Sequence, residues 1–230
     1  TSSRRELRGG WDVCVLTAAD ERQATAYRQQ LDWRRQGGLL PARTRFLAMA
    51  DPGGRHIGSG GATLRVLHHL NAAAELAPDT LAAQPTPPGF RMERVPPAPA
   101  SPLQALRIAI IHSGGDSRRL PHCSAAGKLF ARVPRILPDG RASTIFDELL
   151  IGLSGLAAGL PPGVLVTSGD VLLVYDHLQL SFQRPGVIGV AADVPAETGT
   201  EHGVYCLDER GRLRAYLHKP ALAEMTEWQA

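Results

Sequence analysis

The residues best suited to chemistry lie in a glycine-rich and basic stretch near the middle of the chain, which reads HSGGDSRRLPHCSAAGKLF over residues 112–130. Glycines allow the backbone to approach an anion and to direct N–H groups at it, while arginine and lysine supply compensating charge. The pattern therefore predicts a loop that binds phosphate groups. Its candidate ligands are Gly114, Gly115, Arg118, Arg119 and Lys128.

The two adjacent arginines of this loop cannot easily both point inward. We favour Arg118 as the phosphate ligand, whereas Arg119 is equally consistent with a surface ion pair.

Two common nucleotide motifs are excluded. Lys128 is followed by leucine instead of Ser or Thr, so the loop is no Walker A motif. No glycine stretch reads G-x-G-x-x-G, which excludes a dinucleotide fingerprint.

The loop follows an apolar run at 108–111, and such a run bounded by charge and glycine is typical of a buried parallel strand. Similar runs occur at 13–16, 45–50, 163–167 and 187–191, a further strand is predicted at 128–133, and a hairpin at 203–217. A helix is predicted from Asp20 to about residue 36, with Asp20 and Gln23 as a capping pair and Ala24, Tyr27 and Leu31 at helical spacing. Further helices are predicted from about Ala62 and from Thr144, where Thr144 and Asp147 form a capping box. This alternation predicts an α/β fold with a parallel, helix-covered sheet.

A second glycine stretch at 58–61 lies between a predicted strand and a predicted helix N-terminus, where anions can bind. Ser59, Gly60 and Gly61 are therefore candidate nucleotide contacts, and a flexible connection is an equally good interpretation. The helix that follows is predicted to turn Leu64, Leu67 and Leu70 inward. For His112, filling the end of a strand is the favoured interpretation.

Composition limits the class of protein. The net charge of only +3 does not indicate a nucleic-acid binder, and the densest basic stretch is local to the glycine loop. The sequence contains neither a long apolar run typical of a membrane span nor the apolar core of a secretory signal at its start. Three scattered cysteines without C-x-x-C spacing indicate a reducing, cytoplasmic setting.

The proline content divides the chain. Eight of the 26 residues 77–102 are proline, which predicts an extended linker over 77–105. This linker separates a front βαβα piece at 11–76 from a core at 106–220 that contains the phosphate loop.

The motif G-G-x-S-x-R-L-P, followed after six residues by Lys128, resembles the loop of sugar-1-phosphate nucleotidyltransferases, with Ser117 at a position that is usually glycine, serine or threonine. Gly169-Asp170 after a strand resembles that family's magnesium-binding aspartate, although Asp170 is also consistent with a simple turn residue. Lys219-Pro220 after the hairpin resembles its Glu-Lys-Pro. The three pieces occur in the family's order.

With IGSGGATL at 57–64 and HGVY at 202–205, the chain is similar to the N-terminal region of the L-fucokinase/GDP-fucose pyrophosphorylase family. This resemblance implies a Rossmann-like, GT-A-like mixed sheet with helices on both faces. It also implies a covalently linked β-helix and a GHMP-type kinase, before which we expect this chain to be truncated. The implied reaction joins GTP to L-fucose 1-phosphate with Mg²⁺, forming GDP-L-fucose and pyrophosphate.

The resemblance also implies a role for each site residue. Arg118 and Lys128 would be catalytic, and Asp170 would hold the metal. The implied nucleotide ligands are Gly114, Gly115, Ser117, Arg119, Ser59, Gly60 and Gly61. Lys219, His202 and Gly203 would face the sugar phosphate. The alternatives are a non-catalytic scaffold domain of a fucokinase and a simple GTP-binding module.

Overall fold

The computed structural model of the chain describes residues 10–75, 101–113, 115, 121–123, 127–180, 182 and 186–229. The chain forms two compact units, Thr1–Gln183 and Arg184–Ala230. The strands are β1 (Val13–Ala18), β2 (Arg45–Ala50), β3 (Arg107–His112), β4 (Arg132–Ile136), β5 (Ala142–Thr144), β6 (Gly163–Ser168), β7 (Gly203–Leu207) and β8 (Leu213–His218). The helices are α1 (Glu21–Gln36), α2 (Gly58–Glu75), α3 (Ile145–Gly159), α4 (Ala196–Gly199) and α5 (Leu222–Gln229).

The first unit is built on a four-stranded sheet with the order β2-β1-β3-β6, and every neighbouring pair of strands is parallel. The front piece of the sequence therefore contributes β1 and β2 to the same sheet as the strand that precedes the phosphate loop. The parallel, helix-covered sheet that the alternating pattern predicted is confirmed.

One face of this sheet packs against α1 and α3. The N-terminus of α1 is capped by Asp20, whose carboxylate accepts a hydrogen bond of 2.8 Å from the Gln23 backbone N–H. A capping box between Thr144 and Asp147 starts α3, as the sequence predicted. The helices bury apolar side chains, among them Leu31 from α1, against the sheet.

The opposite face packs against α2, so helices cover both faces of the sheet. Val66 and Leu70 of α2 pack against the buried side chains of β1 and β3 on this face. The prediction that Leu64 points inward is wrong, since that residue is 69% exposed. The helix also begins at Gly58 instead of near Ala62, so the second glycine stretch forms its first turn.

The structure also bears on two further predicted strands and on the predicted proline linker. The strand expected at 128–133 is a 3-10 turn over Lys128–Phe130 followed by β4, which pairs antiparallel with β5. The strand expected at 187–191 is absent from the described structure of that segment, which is irregular and exposed. Most of the predicted proline linker, residues 77–100, lies outside the described residues, and its end forms a 3-10 turn at Pro102–Ala105.

The second unit contains the predicted hairpin, which is confirmed as β7 and β8 joined by a turn at 208–212. Met225 of α5 and Val204 of β7 both approach Gly199 at the end of α4, which fixes the helices against one face of the hairpin. Within the part of the chain that the structure describes, no helix combines the length and apolar character that crossing a bilayer needs.

Candidate functional site

The carboxyl ends of β1, β3 and β6 lie side by side at one edge of the sheet. The parallel register aligns Thr17 with His112 and His112 with Ser168. The phosphate loop begins after β3, and Asp170 follows β6 by two residues. This is the edge of an open parallel sheet at which ligands bind.

Lys128 and Asp170 meet at this edge although they are 42 residues apart in the chain. The Lys128 Nζ lies 3.4 Å from Asp170 Oδ2, and the two side chains are 34% and 48% exposed. A hydrogen bond from the Ser168 hydroxyl lowers the pKa of Asp170; burial opposes this, and Lys128 adds to the lowering through its hydrogen bond and charge. The site therefore presents an ionised carboxylate and an ammonium that both remain open to solvent.

Gly169 brings Asp170 close to the start of the loop. Its N–H donates a 2.8 Å hydrogen bond to the His112 carbonyl oxygen. A Cβ atom on Gly169 would lie 2.8 Å from the Ser113 Cβ and 3.2 Å from the His112 carbonyl oxygen, which is too close for any side chain. The turn between β6 and Asp170 therefore requires glycine.

The start of the phosphate loop is held from α1 by Tyr27 and Gln23, which sequence reasoning assigned only to the core and to capping. The Tyr27 hydroxyl donates a 2.8 Å hydrogen bond to the Ser113 carbonyl oxygen, and Gln23 Nε2 donates a 3.3 Å bond to the Gly115 carbonyl oxygen. Burial raises the pKa of Tyr27 to about 12, although its bond to Ser113 opposes the shift, so the hydroxyl keeps its proton. No local sequence signal marks these two roles.

Part of the predicted site lies outside the described residues. Gly114, Ser117, Arg118 and Arg119 are in this group. Gly115 is described, and its φ of +140° is a backbone conformation that glycine adopts readily.

The second glycine stretch is linked to the phosphate loop through His112. The His112 Nε2 lies 2.9 Å from the Thr63 hydroxyl on α2, and its Nδ1 lies 3.1 Å from the Thr17 hydroxyl on β1. Burial lowers the pKa of His112, with Asp51 opposing the shift. His112 thus does more than fill the end of a strand. Its ring joins Thr63 of α2 to Thr17 of β1 directly before the phosphate loop. Ser59 and Gly60 are exposed on the first turn of α2.

The predicted sugar-phosphate residues lie together in the second unit. The Lys219 N–H donates a 2.9 Å hydrogen bond to the His202 carbonyl oxygen, and Gly203 pairs with His218 at the open end of the hairpin. Among the described residues, Lys219 is the single non-glycine residue with a positive φ, at 50°. Backbone conformations of this kind cost free energy and concentrate at functional sites.

A single ionised carboxylate is the metal-binding group that the described site offers. Within the described ranges, no three His, Cys, Asp or Glu side chains cluster closely enough to hold a metal ion. Asp170 fits Mg²⁺, because this ion is commonly held by one or two carboxylates together with substrate phosphates.

A buried ion pair supports the segment that carries Lys128, and the sequence did not indicate it. Arg34, with a side chain only 2% exposed, donates hydrogen bonds of 3.0 and 3.1 Å to the two Asp147 oxygens. Its guanidinium also lies 4.9 Å from the centre of the Phe130 ring. Phe130 ends the 3-10 turn that begins at Lys128.

Comparison with known proteins gives consistent family assignments. A family model described as the fucose pyrophosphorylase domain matches residues 100–230. The chain is 31% identical to mouse and to human fucose-1-phosphate guanylyltransferase, over 96% of this chain and 35% and 34% of those proteins. It is 29% identical to the Arabidopsis thaliana bifunctional fucokinase/GDP-fucose pyrophosphorylase, over 84% of this chain and 18% of that protein.

The chain thus spans about a third of the length of the two mammalian relatives. No solved structure matches it significantly. The matching family model covers more than half of the chain and includes the phosphate loop, Lys128 and Asp170. The chain therefore belongs to the fucose pyrophosphorylase domain family.

Proposed function

We propose that the chain is a guanylyltransferase domain that forms GDP-L-fucose and pyrophosphate from GTP and L-fucose 1-phosphate. The observation that carries the proposal is the solvent-open pair of Lys128 and Asp170 beside the phosphate loop, in a chain of this family. A cation and an ionised carboxylate at the carboxyl edge of a parallel sheet suit a phosphate-rich substrate.

In the proposed reaction, an oxygen of the sugar phosphate attacks the α-phosphorus of GTP in line with the bond that breaks. A new P–O bond forms to the sugar phosphate, and the bond to the bridging oxygen of the β-phosphate breaks. Pyrophosphate leaves with that electron pair. Positioning and charge stabilisation supply the catalysis in such transfers, since little covalent work falls to the protein.

The roles of the loop residues follow from charge. Lys128, together with Arg118, neutralises the β- and γ-phosphates and the departing pyrophosphate. The backbone N–H groups of Gly114 and Gly115 approach the nucleotide, with Ser117 and Arg119 beside them. The support for Lys128 is its position 3.4 Å from Asp170 at the sheet edge.

Asp170 is the proposed ligand of Mg²⁺. When bound, the ion neutralises phosphate charge and aligns the transferring group. Hydrogen bonds from Ser168 and Lys128 keep the carboxylate ionised, which a metal ligand requires.

The two remaining groups of residues are assigned to the nucleotide and to the sugar. Ser59, Gly60 and Gly61 contact the nucleotide, and the bond between Thr63 and His112 supports this role because it ties their helix to the loop. Lys219, His202 and Gly203 face the sugar phosphate. The support here is the left-handed backbone of Lys219 and its bond to His202.

We propose further that the sheet belongs to a Rossmann-like, GT-A-like mixed sheet, and that the domain acts in the cytoplasm. In the longer protein it would be covalently linked to a β-helix and an ATP-dependent L-fucokinase. The relative from Arabidopsis thaliana, whose name combines both activities, supports the kinase link.

The test is pyrophosphate release by the full-length protein incubated with GTP, Mg²⁺ and L-fucose 1-phosphate. We expect release that requires all three components. The second candidate function is a pyrophosphorylase-like scaffold for the kinase, and kinase activity without any pyrophosphate release would favour it. The intact Lys128–Asp170 pair favours the active enzyme, because a decayed site would be expected to lose charged phosphate ligands first.

A further inference from the structure

Two buried polar side chains of α1 meet both ends of the phosphate loop. Tyr27 and Gln23 are one helical turn apart and are both buried on the face of α1 that packs against the sheet. Helix positions of this kind normally carry apolar side chains. A hydroxyl and an amide in such positions need partners, and each finds one in the loop stem, which we define as Ser113, Gly115 and Gly127.

Tyr27 contacts both sides of the loop stem. Its hydroxyl donates to the Ser113 carbonyl oxygen at 2.8 Å, where the chain leaves β3. On the returning side, a Cβ atom on Gly127 would lie 2.2 Å from the same hydroxyl oxygen. The Gly127 backbone therefore packs directly on the Tyr27 hydroxyl, and a φ of +63° gives a second reason for glycine at this position.

Gln23 repeats this arrangement with its amide. The Gln23 Oε1 accepts a 2.8 Å hydrogen bond from the Ala19 N–H, which fixes the orientation of the side chain. Its Nε2 then donates to the Gly115 carbonyl oxygen at 3.3 Å. The same nitrogen would lie 3.3 Å from a Cβ atom on Gly127, so it too is close to the returning side.

The contacts continue to the proposed catalytic lysine. Gly127 caps the 3-10 turn that begins with Lys128, and the ring of Phe130, which ends that turn, lies 5.5 Å from the Tyr27 ring. Tyr27 therefore contacts Gly127 and Phe130, which lie on either side of Lys128 in the chain. Closing a loop between Ser113 and Gly127 costs conformational entropy. The hydrogen bonds at its start and the packing of the Gly127 backbone on the Tyr27 hydroxyl offset part of that cost before any ligand binds.

We infer that Tyr27 and Gln23 are positioning residues for the proposed nucleotidyl transfer, because they hold the two ends of the loop together and so fix Lys128 opposite Asp170. The inference rests on the proposed function for its reaction. Its geometry is independent of that function.

The first test is Tyr27→Phe in the full-length protein, which removes the hydroxyl and keeps the ring. We expect the kcat of transfer from GTP to L-fucose 1-phosphate to fall by about 10- to 100-fold, because small misplacements of a catalytic group cost rates of this order. The matched control is Tyr175→Phe, since the Tyr175 hydroxyl also donates to a backbone carbonyl, that of Gly152, at 3.3 Å. Its kcat should stay within about twofold of wild type.

The second test separates positioning from a general loss of stability. In a Lys128→Met background, Tyr27→Phe should lower the rate by less than about threefold. If Tyr27 acts through Lys128, the effects of the two substitutions are not additive. If the rate loss of the double variant equals the product of the two single losses, the inference is overturned. Gln23→Met keeps the volume of the side chain, and it should show the same lack of additivity even if Tyr27→Phe folds poorly.

The proposed function and this inference can fail separately. Wild-type protein that releases no pyrophosphate contradicts the proposed function. In that case, calorimetry with GTP and Mg²⁺ tests the inference. Tyr27→Phe should weaken GTP binding when Lys128 is present and change GTP binding little in the Lys128→Met background. Wild-type transfer that Tyr27→Phe leaves unchanged overturns the inference and leaves the function standing.

Discussion

Arg34 and Asp147 join α1 to the start of α3 through two hydrogen bonds of 3.0 and 3.1 Å in the core of the first unit. Asp147 also accepts from the Thr144 hydroxyl at 2.7 Å, and the Arg34 guanidinium donates to that hydroxyl at 3.1 Å. One buried carboxylate thus caps a helix and neutralises a buried cation. The ring of Phe130 packs over the same guanidinium, so this network supports the segment that carries Lys128.

Removing the arginine should strongly destabilise the protein. Arg34→Met leaves Asp147 as a buried carboxylate without its cation, and losing one partner of a buried pair typically costs about 3–5 kcal/mol. Urea denaturation of the variant and of wild type measures the difference. The control is Arg35→Met, which breaks an exposed pair with Asp32 and should change the free energy of unfolding by less than about 1 kcal/mol. Equal effects of the two variants would contradict this account of the network.

The same pair predicts how stability depends on pH. Burial raises the pKa of Asp147, but hydrogen bonds from Arg34 and Thr144 and the charge of Arg34 outweigh it, so the pKa lies below its ordinary value of 3.8. The unfolded chain therefore binds the proton more readily than the folded chain, and stability from this carboxylate is fully present above the unfolded value. It should be lost as the pH falls below 3.8 through the folded pKa. Melting temperatures of wild type and Asp147→Asn should converge as the pH falls through this range, and a constant difference would refute the assignment.

A methyl group on Gly169 should disturb the site while the fold persists. In Gly169→Ala, the new atom would lie 2.8 Å from the Ser113 Cβ, so Asp170 or the start of the loop must move. We expect transfer activity to fall by about 10²-fold. The control is Gly152→Ala in α3, where a Cβ atom meets nothing within 4 Å and should stabilise the helix by roughly 0.5–1 kcal/mol. Full activity in Gly169→Ala would show that the placement of Asp170 does not depend on this turn.

Loss of the Asp170 charge should change the response to magnesium. Asp170→Asn keeps the shape of the side chain but is a much weaker metal ligand, so we expect both a lower maximal rate and a higher Mg²⁺ concentration for half-maximal rate. Asp139→Asn is the matched control, because Asp139 is a partly exposed carboxylate that also pairs with a cation, Arg141. A magnesium titration unchanged by Asp170→Asn would remove Asp170 from the metal site.

Local sequence signals were sufficient for several elements of the fold. The Asp20 cap of α1, the capping box of α3 and the turn of the β7–β8 hairpin each depend on residues within a few positions of one another, and all three are confirmed. The apolar runs likewise indicated the four strands of the parallel sheet. These features need no knowledge of how distant segments pack.

The features that sequence reasoning missed depend on distant contacts. Tyr27 and Gln23 look like ordinary buried or capping helix residues until the fold places the loop stem against them. The early start of α2 has a similar cause. Its glycines have low helix propensity, but the Thr63 hydroxyl lies 2.9 Å from His112 Nε2, so a tertiary contact stabilises the first turns.

The most direct test of the central claim identifies the product made by the full-length protein. GTP, Mg²⁺ and L-fucose 1-phosphate are incubated with wild type and with Lys128→Ala, and GDP-L-fucose and pyrophosphate are measured together. We predict equal amounts of both products from wild type, none without L-fucose 1-phosphate, and a loss of at least about 10²-fold in Lys128→Ala. No GDP-L-fucose from wild type, or unchanged formation by Lys128→Ala, would contradict the proposed activity or the proposed site, respectively.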